Sequence, residues 1–143
     1  MTLQQAGRRP AVLTALTPEA RAAFGGDEIE IARFPFRVGR ESRGAQRTAA
    51  RVIMERRRPG TRPSNDLYLL EEEEPFNVSR EHFQIEHNGA HHVLVDRQSN
   101  CGTIVEGKVV GGRQAGGAVP LHDGDVIIVG TSASRYVFKW RVR

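Results

Sequence analysis

The sequence predicts an all-β fold, a sandwich of many short strands, and three observations lead there. Apolar residues recur with a period of two, most cleanly where Tyr136, Phe138 and Trp140 alternate with Arg135, Lys139 and Arg141. Turn chemistry punctuates these runs: Asn88-Gly89, Glu106-Gly107, "GGRQAGG" at 111–117 and "HDGD" at 122–125. Helical character is confined to one short stretch, "TPEARAAF" at 17–24.

Taken in order, residues 1–9 are polar and read as a flexible tail, with a single domain over 10–143. "AVLTAL" (11–16) is a strand candidate. Thr17 is placed to cap a helix that has Pro18 at its first position, and Gly25-Gly26 stop it after one or two turns. From Asp27 the period is two. Ile29 and Ile31 share one phase and Phe34, Phe36 and Val38 another, with a slip at Ala32-Arg33 that predicts a turn or bulge. Strand-like runs follow at 66–71, 82–87, 91–96, 102–105, 107–110, 125–130 and 135–142, with a further candidate, "RVIME", at 51–55. "GGRQAGG" reads as a flexible loop.

Composition narrows the function classes. The chain of 143 residues is one domain in length, and no run of it is long and apolar enough to span a bilayer. The N-terminus has no apolar run of the signal-peptide kind, and a single cysteine forms no internal disulfide, in keeping with a cytoplasmic setting. The net charge is +4 but unevenly placed: seven arginines fall within 43–62, and the acidic run Glu71–Glu74 follows. That basic segment reads as a solvated insertion, with nucleic-acid binding as the weaker alternative.

His87, His91 and His92 flank a hairpin turn, where His87 could face one of the others across the strands, but no cysteine or helical acid–histidine spacing accompanies them, so no metal site is assigned. Cys101 lacks a long helix or an evident oriented base to activate it, and no catalytic residue is assigned. "GGRQAGG" lacks the Lys-Ser/Thr of a phosphate-binding loop. What remains is a group of anion-binding side chains on inter-strand loops: Arg40 after Gly39, Ser79 with Arg80, and Ser99 with Asn100. An arginine fork, hydroxyl donors and backbone N–H groups are the set that holds a phosphate monoester.

The order "FRVGR" (36–40), "NDLYL" (65–69), "VSREHFQI" (78–85), "DRQSNCGTIVEG" (96–107) and "LHDGDVIIVG" (121–130) resembles the forkhead-associated (FHA) domain. The resemblance implies a β-sandwich of about eleven strands that binds phosphothreonine peptides at one end, acts in Ser/Thr kinase signalling, needs no cofactor and is not an enzyme. It implies phosphopeptide contacts from Arg40, Ser79, Arg80, Asn100 and Cys101, and structural support of the loops from Gly39, His82, Gly102 and Thr103. The expected partner is a phosphothreonine-containing protein, with no membrane involved and the chain itself a monomer.

Two departures stand out. Cys101 occupies the position of the family's main-chain-gripping asparagine, and the basic segment 43–62 lengthens the connection between Arg40 and Asn65. A thiol is a weak hydrogen-bond partner. A phospho-independent adaptor on the same fold is therefore the alternative, and a basic nucleic-acid binder a further one.

Overall fold

The structure, a computed structural model, describes residues 10–41 and 65–143. The tail 1–9, the basic segment 43–62 and the strand candidate "RVIME" lie outside the described residues.

The described chain begins with β1 (Ala11–Ala15), a short helix α1 (Pro18–Phe24), β2 (Glu28–Ile31) and β3 (Phe36–Arg40). β4 (Leu67–Leu69), β5 (Phe83–Asn88), β6 (His91–Asp96), β7 (Thr103–Val105) and β8 (Lys108–Val110) follow. β9 (Gly117–Leu121), β10 (Val126–Val129) and β11 (Val137–Val142) complete eleven strands among the described residues. They form two sheets, of order β2-β1-β11-β10-β7-β8 and β4-β3-β5-β6-β9.

Local chemistry sets each element. Thr17 Oγ1 accepts from Ala20 N at 3.2 Å and opens α1, and Gly25 closes it at φ +74, a left-handed value that glycine adopts without a Cβ clash. At the β7–β8 hairpin, Glu106 and Gly107 take φ +48 and +80, the twist that a two-residue turn between right-twisted strands requires. The β5–β6 turn differs from expectation by one residue. Asn88 pairs with His91, so Gly89-Ala90 form the loop, with Gly89 in the positive-φ position at +62.

The alternation in the last strand is packing. Phe138 and Trp140 are fully buried between the sheets with Leu13, Val38, Leu69, Phe83, Ile85, Leu94 and Ile127. Trp140 lies opposite Leu13 in the β1–β11 register. β9 is the strand the sequence did not predict. It lies at the edge of its sheet, beside β6, where Pro120 is tolerated because one side of the strand needs no partner.

The topology gathers the loops that matter at one end. β3 is an interior strand, hydrogen-bonded in parallel to β4 and antiparallel to β5, so its last residue, Arg40, emerges beside the β4–β5 loop. Arg40 N donates to Ser79 O at 2.9 Å and His82 N to Val38 O at 3.0 Å, which zip that loop onto the strand end.

Candidate functional site: the loop rim at the end of β3

The structure brings Arg40, Ser79, Arg80, Asn100 and Cys101 together where the β4–β5 and β6–β7 loops meet the end of β3. The Arg40 guanidinium is set by three contacts. Its Nε donates to Val78 O at 2.9 Å, its backbone holds Ser79, and its Cζ lies 4.1 Å from the centroid of the Phe76 ring. A guanidinium over an aromatic face gains electrostatic attraction and loses rotamer freedom. Its two terminal nitrogens have no hydrogen-bond partner among the described residues. Burial, and secondarily the nearby Arg80 charge, push the Arg40 pKa down, while Glu71 and Glu74 pull it back up. Two like charges therefore converge here. The arrangement is relieved by an anion placed between them.

Ser79 is the hub of the rim. Its N–H donates to His82 Nδ1 at 2.9 Å and its Oγ accepts from Asn100 N at 3.0 Å. The hydroxyl proton is left to donate outward. The Arg80 carbonyl accepts from Asn65 Nδ2 at 2.7 Å, while its side chain is exposed. Asn100 is exposed, and its carbonyl accepts from Arg113 N at 2.8 Å. Cys101 is partly buried, and its thiol bridges the two loops, with Sγ 3.6 Å from the Phe76 backbone carbonyl O.

His82 supports both loops. It is fully buried, its Nδ1 accepts from Ser79 N, and its Nε2–H donates to Gly102 O at 2.7 Å. Both ring nitrogens are committed to the neutral form with the proton on Nε2. Burial pushes its pKa below the usual 6.5, against the opposing pull of the Gly102 carbonyl and then of Asp96 and Glu71. The sign follows. The unfolded chain binds the proton more readily, so the stability from neutral His82 is complete above about pH 6.5 and falls as pH drops through the lowered folded value. Half-buried His92, lowered by burial and by His87 stacked on it at 4.4 Å, has the same sign. Denaturant titrations between pH 7.5 and 5.5 are expected to show a falling midpoint, with a shallower slope in His82→Gln; a pH-independent midpoint over that range contradicts the neutral assignment.

Gly102 takes φ +79, and its N–H donates to Ser99 Oγ at 2.9 Å. Thr103 Oγ1 donates to Asp96 Oδ1 at 3.3 Å. Ser99, expected among the anion ligands, is instead fully buried. Its Oγ donates to Asp96 Oδ1 at 2.6 Å and its N to Asp96 Oδ2 at 2.9 Å. It shapes the loop and does not face a ligand. Sequence reasoning missed Asp96, whose buried carboxylate accepts from Ser99 twice and from Thr103. It also missed Glu71, read as part of an acidic run. The Glu71 carboxylate accepts from Asn77 N at 3.1 Å and Val78 N at 2.7 Å, fixing the approach to Ser79. "GGRQAGG" is likewise more than a tether: Arg113 N and Gln114 N donate to Asn100 O and Ser99 O at 2.8 and 2.9 Å.

His87 and His92 do pair across β5–β6, but no group of three metal-ligating side chains occurs among the described residues. No described helix is long and apolar enough to cross a membrane.

A two-sheet sandwich with a cationic, hydroxyl-lined loop rim defines an anion-reading interaction module. The FHA-domain family model matches residues 37–130, well over half of the chain, and the protein belongs to the FHA-domain family, whose members mediate phosphopeptide-dependent protein interactions. No curated protein matches the chain in sequence. Among solved structures, the fold is similar to that of Mycobacterium tuberculosis EmbR in complex with a low-affinity phosphopeptide, with 21% identity and a TM-score of 0.60. That alignment covers 99% of this chain and 26% of EmbR, so this chain corresponds to about a quarter of that protein. The FHA domain of CT664 from Chlamydia trachomatis matches at 19% identity and a TM-score of 0.58, covering 92% of this chain and 96% of that one. The kinase-interacting FHA domain of the phosphatase KAPP in Arabidopsis matches at 23% identity and 0.59, covering 95% of each chain.

Proposed function

We propose that the protein is a non-enzymatic, cytoplasmic module that binds phosphothreonine peptides and so recruits substrates of a Ser/Thr kinase. Residues 10–143 act as one recognition domain carrying the basic insertion. The observation that carries this reading is the fastening of Arg40 to the loop of Ser79, Arg40 N on Ser79 O and Arg40 Nε on Val78 O, both at 2.9 Å, with Asn100 N on the Ser79 hydroxyl at 3.0 Å. Phosphorylation adds nearly two negative charges and three acceptor oxygens, and the rim offers terminal guanidinium nitrogens, a hydroxyl and an exposed asparagine to meet them. An unphosphorylated threonine gives these donors nothing comparable. EmbR, of the same fold, has been captured with a phosphopeptide, which supports the same use of the rim here. Calorimetric titration of a phosphothreonine peptide library against unphosphorylated controls tests the reading: binding is expected only to phosphorylated members. Equal binding to both forms would point to the phospho-independent adaptor.

Cys101 tunes this interaction. Asparagine at 101 can donate Nδ2–H to Phe76 O, where the thiol now points, and still present its carbonyl to a peptide backbone. Cys101→Asn is expected to tighten phosphopeptide binding by about 0.5–1.5 kcal/mol, up to roughly tenfold. Unchanged or weaker binding in calorimetry would show that the thiol position does not face the peptide.

A further inference from the structure

The outer face of the six-stranded sheet carries an apolar row far from the loop rim's chemistry. Leu16, just past β1, lies opposite Val137, with its N–H on Val137 O at 2.9 Å. Val137 lies opposite Ile128, Ile128 opposite Ile104 and Ile104 opposite Val109. The residues flanking them in sequence, among them Ala15, Phe138, Ile127, Val105 and Val110, are buried in the core, so strand alternation turns the row outward. At a strand spacing of about 4.8 Å it runs for about 19 Å. Its two ends are the most open, Leu16 at 45% and Val109 at 66% exposure. Single apolar residues on a surface are ordinary, but a contiguous row marks an interaction face.

The next row on the same face carries charge. It reads Glu28, Thr14, Lys139 and Val126 across β2, β1, β11 and β10. Glu106 continues it, with its N–H on Val126 O at 3.0 Å and its Oε2 accepting from Val126 N at 2.7 Å. Lys139 has no ion pair among the described residues. Lys139 and Glu106 stand on either side of Val126, two strand spacings or about 10 Å apart, too far to pair within one copy.

A second copy laid on this face, about a two-fold axis running along β10, reverses the strand order and keeps the rows level. Ile128 then meets Ile128, Ile104 meets Val137, Val109 meets Leu16, and Lys139 of each copy meets Glu106 of the other. The face is self-complementary in shape of pattern and in sign of charge, as an isologous contact requires. Aligned packing of sheet on sheet, with strands within about 30°, is an ordinary mode.

We infer that this face is a dimer interface between two copies of the chain, in place of the monomer expected from the family resemblance. The face is at the small end of specific interfaces, which sets a reversible association with a dissociation constant of about 10–100 µM. Because the axis runs along the strands, both loop rims stand at the same end of the pair. A partner bearing two phosphothreonines, or a dense phosphorylated surface, is then held by avidity. That consequence rests on the phosphothreonine reading above; the dimer itself does not.

Sedimentation equilibrium of the full chain without peptide, over about 1–500 µM, is expected to show reversible monomer–dimer exchange. Leu16→Glu and Val109→Glu change exposed positions, so the unfolding midpoint of the monomer should hold while dimerisation weakens about tenfold or more. Lys139→Glu sets two carboxylates against each other across the axis and is expected to weaken it as well. Carbodiimide coupling of the wild type is expected to join Lys139 of one copy to Glu106 of the other in a dimer-sized product. A chain that stays monomeric throughout the range overturns the inference, and so does a dimer indifferent to Leu16→Glu and Val109→Glu. A coupled dimer with Lys139 unmodified overturns the face-to-face arrangement. On a surface dense in phosphothreonine peptide, the wild type is expected to dissociate more slowly than Val109→Glu. Equal dissociation of the two overturns the placement of both rims at one end. If neither binds that surface while the dimer forms, the phosphothreonine reading fails and the dimer stands.

Discussion

Arg40→Ala is expected to reduce phosphothreonine-peptide affinity by about 2–5 kcal/mol, roughly thirtyfold to a few thousandfold, while changing stability by only about 1 kcal/mol. The two effects separate because of how the side chain is used. For the fold it supplies one hydrogen bond, Nε to Val78 O at 2.9 Å, and a stacking contact on Phe76, while its charge opposes that of Arg80. Alanine loses the first two and relieves the third. For a bound phosphate it supplies two terminal N–H groups in a partly desolvated setting, where a charge-assisted fork is worth most and where an unmatched dianion costs most. Arg40→Lys is expected to fall between: it keeps a charge but cannot hold Val78 O through Nε and present a planar fork outward at once. Calorimetry with a phosphothreonine peptide, run beside thermal denaturation, separates the two. A variant that folds like the wild type and still binds within threefold of it would remove Arg40 from the site.

The parts of this protein legible in the sequence are those with a local cause. Thr17, Pro18 and Gly25 act within one helix, and Phe138 and Trp140 announce their face by alternation alone. Gly39-Arg40, Ser79 and His82 were readable because their order along the chain is distinctive, not because anything near them in sequence requires it. What escaped depends on partners far along the chain or on exposure. β9 carries two residues that weaken strand character, Gly117 and Pro120, and only its edge position accommodates them. Ser99 has the chemistry of an anion ligand, and only its burial against Asp96 shows that its hydroxyl is spent. The signal that could have found it is the Asp96-x-x-Ser99 spacing, at which a carboxylate caps its own turn. Glu71 is indistinguishable in sequence from the three glutamates after it, yet it is the one that receives the Asn77 and Val78 N–H groups.

Gly39→Ala is expected to be strongly damaging, and for a steric reason. Gly39 sits in the interior of β3 without a positive φ, so its backbone angles are open to any residue. The space above its Cα is not. A Cβ there would lie 2.0 Å from Arg80 O, 2.8 Å from Arg80 C and 2.6 Å from Asn65 Nδ2. Two of those atoms are main chain, and the loop carrying them cannot retreat alone. It is fastened to β3 by Arg40 N on Ser79 O and His82 N on Val38 O, at 2.9 and 3.0 Å. Making room for one methyl group means breaking these bonds, or breaking the Asn65–Arg80 contact and leaving buried polar groups unpaired. The expected loss is about 2–4 kcal/mol, on the order of a 10 °C drop in unfolding midpoint. Whatever fraction stays folded should also bind phosphopeptide poorly, because Ser79 and Arg80 ride on the displaced loop. Gly26→Ala is the matched control: no atom lies within 4 Å of its added Cβ and its φ is not positive, so its midpoint should stay within 2 °C of wild type or rise slightly. Close packing of the loop against glycine is then what fixes the distance between Arg40 and Ser79. A Gly39→Ala protein as stable as the Gly26→Ala control would show that the rim is held by its hydrogen bonds alone, with slack to spare.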